Sequence, residues 1–503
     1  MRFLLGIDVG SYSSKGVLLD ETGTIVATAQ RRHEMRVPGP GRAEHDAEAD
    51  WWAAFCELSR ALLAESGVLP ETIAAIGCSG IGPCMLPVDA AGRPLRPAVL
   101  YGVDTRARQE IDELNAELGA AAIFARCGNA LTTQSVGPKI RWLARHEPDV
   151  FARTHKIVTC STYLTHRLTG CWVIDHYTAS CFTPCYDLYE RRWNPEMTRP
   201  ICPPEWLPEL AWSSDVIGTV SAAAATETGL AVGTPVVAGT VDAASEALSV
   251  GVCRPGDLMI MYGTTVFFIE VVPAAQADPR TWAGPYLFPN TWSVMGGLAT
   301  SGALTQWWRS KIFDLPDTDA VFADLASAAE RSPPGANGLI VLPFFSGERT
   351  PVNDPTARGM VFGLTLAHTR ADLYRATIEG IGHAVRHNLD TFAEACRAKA
   401  VYAVGGGVQN AMWMQAVSDI GGVSQRVRRH TTGAALGSAF LAGIGVGLMA
   451  RDDVDRINPV VRTVVPQAFN KAVYDRDHAI YLDLYTQTKG YMRALWEGST
   501  AQT

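Results

Sequence analysis

The chain has 503 residues, too many for one hydrophobic core, so two large domains are expected. Nearly half of the residues are hydrophobic and 19% are charged, which fits a globular chain and excludes a disordered one. A formal net charge of −8, with no basic run and no interleaving of aromatic and basic residues, argues against nucleic acid as a partner.

Residues 3–20 read as an apolar strand, a tight turn over Gly10 to Ser14, and a second apolar strand. Met1-Arg2 leads straight into the first strand, which leaves no room for a signal peptide. Gly10 lets the backbone approach an anion closely, and Ser11, Ser13, Ser14 and Lys15 supply donors. Asp8, at the strand end, suits a metal ion held against that anion. An ordinary hairpin with a polar turn explains the same residues equally well. Asp50 is the expected N-cap of a helix running to about Ser66 and closed by Gly67. Residues 73–78 read as a buried strand, and 97–106 as the end of another, with Asp104 capping the helix that follows. Helices are expected over 135–145 and 161–168, a loop over 175–180, and a proline-rich break at 200–208.

Residues 234–247 form an apolar strand that ends in Asp242, where a helix begins; the aspartate is either a lone functional carboxylate or a cap. Residues 257–270 then repeat the pattern of strand, glycine-hydroxyl turn and strand. The domain boundary is placed at 251–255. Gly302 starts a helix through Gln306, and a polar loop covers 346–355. A long helix spans 371–395, and a strand over 400–404 runs into Gly405-Gly406-Gly407 and a helix through Asp419. After Pro459, a coil and one helix are expected. Residues 431–450 carry no charge and are long enough to span a bilayer, yet five glycines point to a buried, closely packed helix, so no membrane partner is expected. Eleven scattered cysteines without a matched CxxC pair suggest reduced thiols in a cytoplasmic protein and no zinc site.

Two hairpins of this make around one acidic strand end resemble the duplicated actin-like nucleotide fold. More narrowly, the chain resembles the FGGY family of carbohydrate kinases. That likeness rests on Ile7-Asp8-Val9-Gly10, the Gly239 to Asp242 strand end, Pro255-Gly256-Asp257 before Tyr262-Gly263-Thr264-Thr265, and Gly302-Ala303-Leu304. It rests also on Gly347-Glu348-Arg349-Thr350-Pro351, Gly405-Gly406-Gly407 and Gly433-Ala434-Ala435-Leu436-Gly437. Residues 41–52 and 348–355 look most like the xylulokinase-like branch.

The resemblance implies an α/β fold of two actin-like (ribonuclease H-like) domains with a nucleotide and sugar cleft between them. Residues 1–250 would carry the acceptor sugar, the first phosphate hairpin and the catalytic aspartate. Residues 251–460 would carry the second phosphate hairpin and the adenosine site, and 461–503 a helical tail. It implies ATP- and Mg²⁺-dependent phosphorylation of a hydroxyl of a sugar or polyol, a ketose foremost, with Asp242 as general base. Asp8 and Asp242 would face the Mg²⁺. Gly10, Ser11, Ser13 and Lys15 would form the first phosphate loop, and Gly263 and Thr264 the second. Gly302 and Gln306 would lie near the ribose and phosphates, and Gly406 and Asn410 at the adenosine. No Walker A sequence is present, which excludes a P-loop kinase.

Gly82, Pro83, Asp104, Gln134 and Asp242 would face the acceptor, but this pocket departs from the family. Xylulokinases carry Gln-Met-His-Gly after Ser-Gly, where this chain has Ile81-Gly82-Pro83-Cys84. Their Trp-Asn-Asp becomes Tyr101-Gly102-Val103-Asp104. Asp104 is open to either reading, hydroxyl ligand or cap. A homodimer is left open. The rival readings are a non-catalytic sugar- or nucleotide-binding regulator on this fold and an actin-like ATPase acting on a protein partner. Asp8, Asp242 and both hairpins together count against the first, and the 348–355 loop against the second.

Overall fold

The computed structural model describes residues 1–500; residues 501–503 of the expected tail lie outside the described residues. The chain divides into two compact units. One is Met1–Arg254 with Val271–Ser293 and Thr432–Pro459; the other is Pro255–Glu270, Val294–Thr431 and Val460–Thr503.

The sheet of the first unit is built from β1 (Phe3–Val9), β2 (Ser13–Asp20), β3 (Ile25–Arg32), β4 (Ile73–Gly80), β5 (Val216–Thr219), β6 (Pro235–Val237) and β7 (Thr240–Val241). Its order is β5-β6-β4-β1-β2-β3, with β7 also pairing with β4. β1 runs antiparallel to β2 and parallel to β4, and its residues from Leu4 to Val9 are buried, as a strand covered on both faces requires. One face is covered by the helix Ala53–Ser66, whose Phe55, Leu58 and Leu62 join Leu5, Ile7 and Leu18 in one core. The other takes the uncharged helix Ala434–Gly445, which lies almost on the backbone. A Cβ on Gly6 would fall 2.1 Å from the Ala435 carbonyl oxygen, and one on Gly77 2.0 Å from that of Ser438. Glycine in the sheet is what permits this approach. No helix among the described residues is long and apolar enough to cross a membrane.

The second sheet comprises β8 (Asp257–Tyr262), β9 (Val266–Val272), β10 (Trp282–Pro285), β11 (Trp292–Leu298), β12 (Ala400–Val404), β13 (Gln425–Arg428) and β14 (Val460–Val464), in the order β10-β11-β9-β8-β12-β13-β14. Its centre repeats the first. β8 is antiparallel to β9 and parallel to β12, β12 is parallel to β13, and β13 is antiparallel to β14. β1 with β2 and β4, then β4 with β6 and β6 with β5, follow the same pattern.

Three local expectations are corrected. Asp46, not Asp50, caps the first helix: its carboxylate accepts the amides of Glu48 and Ala49, while Asp50 accepts the amide of Asp46. That is a reciprocal arrangement of capping-box type around a π-helical turn, Ala47–Trp52. Residues 175–180 are no loop, because strand Val173–Asp175 runs into the turn of helix His176–Ala179, capped by Asp175. The segment after Pro459 contributes strand β14 before its helix Lys471–Thr500.

Candidate functional site

Parallel strands β1, β4 and β7 end together. Asp8 on β1 is in register with Ser79 on β4 and, across the hairpin, with Lys15 on β2. The Ser79 hydroxyl donates to Asp8 Oδ1 at 2.8 Å. Thr240 aligns with Ser79 and Val241 with Gly80, so the next residue, Asp242, emerges beside them. The helix Asp242–Ser249 has Val241 at its cap position. Asp242 is therefore one residue inside the helix and not its cap, and its carboxylate accepts the adjoining Ala243 amide at 2.7 Å.

Burial pushes the Asp8 carboxyl up to about 6, against the opposing pull of the Ser79 hydroxyl and the Lys15 charge. Asp242 is raised well above the ordinary range by burial, then by the charges of Asp8 and Glu246. Glu246, which the sequence reading missed, is held up to about 7 by burial and by Asp8. Its carboxylate lies against Gly433, where a Cβ would be 2.3 Å from Oε2, and accepts the amide of Ala434 at the start of the uncharged helix. The four-residue spacing from Asp242 was the available signal, since it puts both acids on one helix face.

Hydroxyls hold this cluster from behind. Ser245 bonds the Ala434 carbonyl at 2.7 Å and the Ser438 hydroxyl at 3.0 Å, and Ser438 reaches Ser79 at 2.9 Å. Asp175 accepts from Thr240 at 2.9 Å and from Ser213 at 3.0 Å, fixing the strand that delivers Asp242. The donor set suits Mg²⁺. Two carboxylates offer hard oxygens, the charge of Asp8 adds to burial in raising Asp242, and a bound cation relieves that repulsion. Among the described residues no three His, Cys, Asp or Glu side chains are arranged to hold a metal by themselves, so water would complete such a shell.

The first hairpin is closed by the Gly10 amide on the Ser13 carbonyl at 3.1 Å. The Ser11 carbonyl is 3.1 Å from His45 Nε2, and its hydroxyl is 3.5 Å from that of Tyr101. Ser14 is fully buried against His33, whereas Ser11, Ser13 and Lys15 stay partly accessible.

Of the residues expected at the acceptor, Gly82 lies against Val241, the neighbour of Asp242 in the chain: a Cβ there would meet Val241 Cγ1 at 2.4 Å. Pro83 is buried next to it. Gln134 Oε1 accepts the amide of Gly102 at 3.0 Å, and the buried Lys139 ammonium donates to the Leu100 and Tyr101 carbonyls. Asp104 neither caps nor stands free. The next helix starts at Arg108 behind Ala107, and the Asp104 carboxylate is taken by the Ala43 amide and the Arg106 guanidinium.

In the second unit, Gly263 closes its hairpin on the Thr265 carbonyl at 2.9 Å. The helix Gly302–Trp307 begins directly on that turn: the amide of Gly302 donates to the Gly263 carbonyl, and those of Ser301 and Ala303 to that of Thr264. Gln306 follows one turn on, exposed. After β12, Gly405 and Gly407 press on Tyr262, while a Cβ on Gly406 would meet nothing within 4 Å. Asn410 caps the helix Ala411–Gly421 through the Trp413 amide at 3.0 Å. The structure thus gathers Gly263, Thr264 and Gly302, and sets the triple glycine on the strand beside them.

Comparison with known proteins shows the family. Residues 3–249 match the N-terminal domain of the FGGY family of carbohydrate kinases, and residues 258–446 match its C-terminal domain. The xylulose kinase of Escherichia coli strain K12 is 30% identical over 96% of this chain and 98% of its own. A glycerol kinase of Nocardia farcinica is 29% identical over 96% and 97%. The crystal structure of a xylulose kinase from Rhodospirillum rubrum superimposes with a TM-score of 0.92 at 31% identity, covering 98% of this chain and all of that one. With both family domains matched in order and relatives aligned end to end, the chain belongs to the FGGY family of carbohydrate kinases, in its xylulokinase-like branch.

Proposed function

We propose that this carbohydrate kinase phosphorylates a ketose hydroxyl, with Asp242 as the general base and with Mg²⁺ held at Asp8 and Asp242. A sugar hydroxyl is a poor nucleophile until its proton leaves, and a carboxylate within hydrogen-bond reach removes it as the bond to phosphorus forms. The observation that carries this reading is the position of Asp242. It stands at the first position of its helix, with one oxygen taken by the Ala243 amide, at the end of a strand fixed by Asp175 and beside Asp8. The proton passes from the hydroxyl to Asp242, the γ-phosphoryl group moves to the sugar oxygen, and ADP is released.

The first hairpin supports phosphate binding through the accessible Ser11, Ser13 and Lys15. When bound, Mg²⁺ supplies charge neutralisation for the phosphate oxygens. In the second unit, the turn at Gly263 and Thr264 takes phosphate, Gly302 and Gln306 take the ribose side, and the open face of Gly406 takes the adenine. Gly82, Pro83 and Gln134 border the acceptor. Eleven free thiols fit a cytoplasmic location. A coupled assay of ADP release over a panel of ketoses and polyols tests the proposal. Sugar-dependent turnover supports it, and ATP hydrolysis indifferent to every sugar contradicts it.

A further inference from the structure

A cavity of about 540 Å³ opens in the second unit, lined by Glu270, Arg397, Lys399 and Arg426 and, on its apolar side, by Leu389 and Val401. It sits at the entry end of β12, whereas Gly405–Gly407 follow the exit end. Five strand residues separate the two by about 16 Å, so this is not the proposed nucleotide turn.

Its polar groups are only partly matched within the protein, the Cys396 thiol being the side-chain partner of the Glu270 carboxyl. Glu270 is 1% exposed, yet its Oε1 has no hydrogen-bond partner. A buried carboxyl oxygen left in that state is costly unless something outside the fold donates to it. Arg397, Lys399 and Arg426 have no ion-pair partner among the described residues. The other acid on the wall, Asp390, is engaged by Arg386 at 3.5 Å and His478 at 3.6 Å and does not neutralise them. The Arg426 guanidinium is held over the Tyr402 ring, 5.8 Å from its centroid. Burial raises the Glu270 carboxyl to about 8, so near neutral pH it is an un-ionised acid that cancels none of the positive charge.

Three cations call for an anion, and the orphaned carboxyl oxygen calls for a hydroxyl donor. We propose that this cavity is a second ligand site, taking a small hydroxylated anion of the sugar-phosphate class. The volume falls in the range of small-molecule sites.

The test uses the full-length protein saturated with ADP and titrated calorimetrically with glycerol 3-phosphate, inorganic phosphate and glycerol as probes. The expected result is binding of glycerol 3-phosphate with a Kd below about 1 mM, weaker binding of phosphate and none of glycerol. Arg397→Ala and Lys399→Ala, both exposed positions, should each weaken glycerol 3-phosphate by roughly tenfold or more. Glu270→Leu, which removes the acceptor oxygen, should narrow the gap between the two anions, and Asp242→Asn should leave the binding unchanged. The proposal is overturned if glycerol 3-phosphate gives no binding heat. It is equally overturned if both cavity variants bind as the wild type does, or if phosphate alone binds as tightly.

Discussion

The indole Nε1–H of Trp51 donates to Nδ1 of His45 at 3.1 Å, and this bond decides where the His45 proton sits. Indole nitrogen only donates, so Nδ1 is an acceptor and Nε2 carries the hydrogen that reaches the Ser11 carbonyl at 3.1 Å. Burial holds the ring's pKa down to about 4, so it stays neutral in working conditions and the relay keeps its direction. Trp51 and His45 thereby anchor the first hairpin from behind.

His45→Ala leaves both the indole and the Ser11 carbonyl unpaired, and kcat/KM for ATP should fall by roughly tenfold. His45→Gln offers one acceptor and one donor in sequence and should recover most of that loss. Steady-state kinetics in ATP checks this, and a glutamine variant as poor as the alanine one would remove the relay from the account.

Gly406 gives a cleaner separation of binding from folding. A methyl group there meets no protein atom within 4 Å, so Gly406→Ala should leave the melting temperature unchanged. If adenine lies on that face, KM for ATP should rise several-fold while kcat holds. Gly302→Ala is the contrast, because its Cβ would sit 2.6 Å from the Gly263 carbonyl oxygen and displace the second hairpin. Unchanged ATP affinity in both variants would move the nucleotide elsewhere.

Glu246 makes a prediction about pH. Its pKa rises from 4.5 to about 7 on folding, so the folded state binds the proton more tightly than the unfolded one. The sign follows: between those values stability falls as pH rises, and above about pH 7 the ionised group costs at most about 3 kcal/mol. Glu246→Gln should therefore melt like the wild type below pH 4.5 and at a higher temperature at pH 8, measured without nucleotide or metal. Equal melting at pH 8 would show that Glu246 is not forced into a buried, like-charged site.

Much of this was legible in the chain because local chemistry carried it. Both glycine-hydroxyl hairpins, strand 400–404 and the buried glycine helix follow from apolar runs, turn residues and the absence of charge. The misreadings share a cause: a partner distant in sequence. Strand β14 is exposed and short, and only its pairing with β13 marks it as the counterpart of β5 in the first sheet. Asp104 looked like a cap until Ala43 and Arg106 claimed its oxygens. Glu246 drew no reading from the sequence, since Gly433 and Ala434, nearly two hundred residues on, are what place it.

The acceptor side leads to a prediction of refusal. Ile81 is buried and its amide already donates to the Val9 carbonyl at 2.6 Å, and Pro83 has no amide hydrogen to give. D-Xylulose would meet no side-chain donor at positions where xylulokinases present an imidazole and an amide. Each hydroxyl left unpaired costs about 1–3 kcal/mol, or one to two orders of magnitude in kcat/KM. D-Xylulose should thus be a poor substrate beside another ketose or polyol. A kcat/KM for D-xylulose equal to the best of a broad panel would refute this.

The central claim is that Asp242 removes the acceptor proton, and Asp242→Asn measures it most directly. Asparagine keeps an oxygen for the Ala243 amide, so the helix start is preserved while the basic group is lost. With the preferred sugar, turnover should drop by roughly 10²–10⁴ while affinity for ATP, read by equilibrium binding without Mg²⁺, stays near that of the wild type. Turnover close to the wild-type rate would contradict the account and leave Asp242 a structural residue.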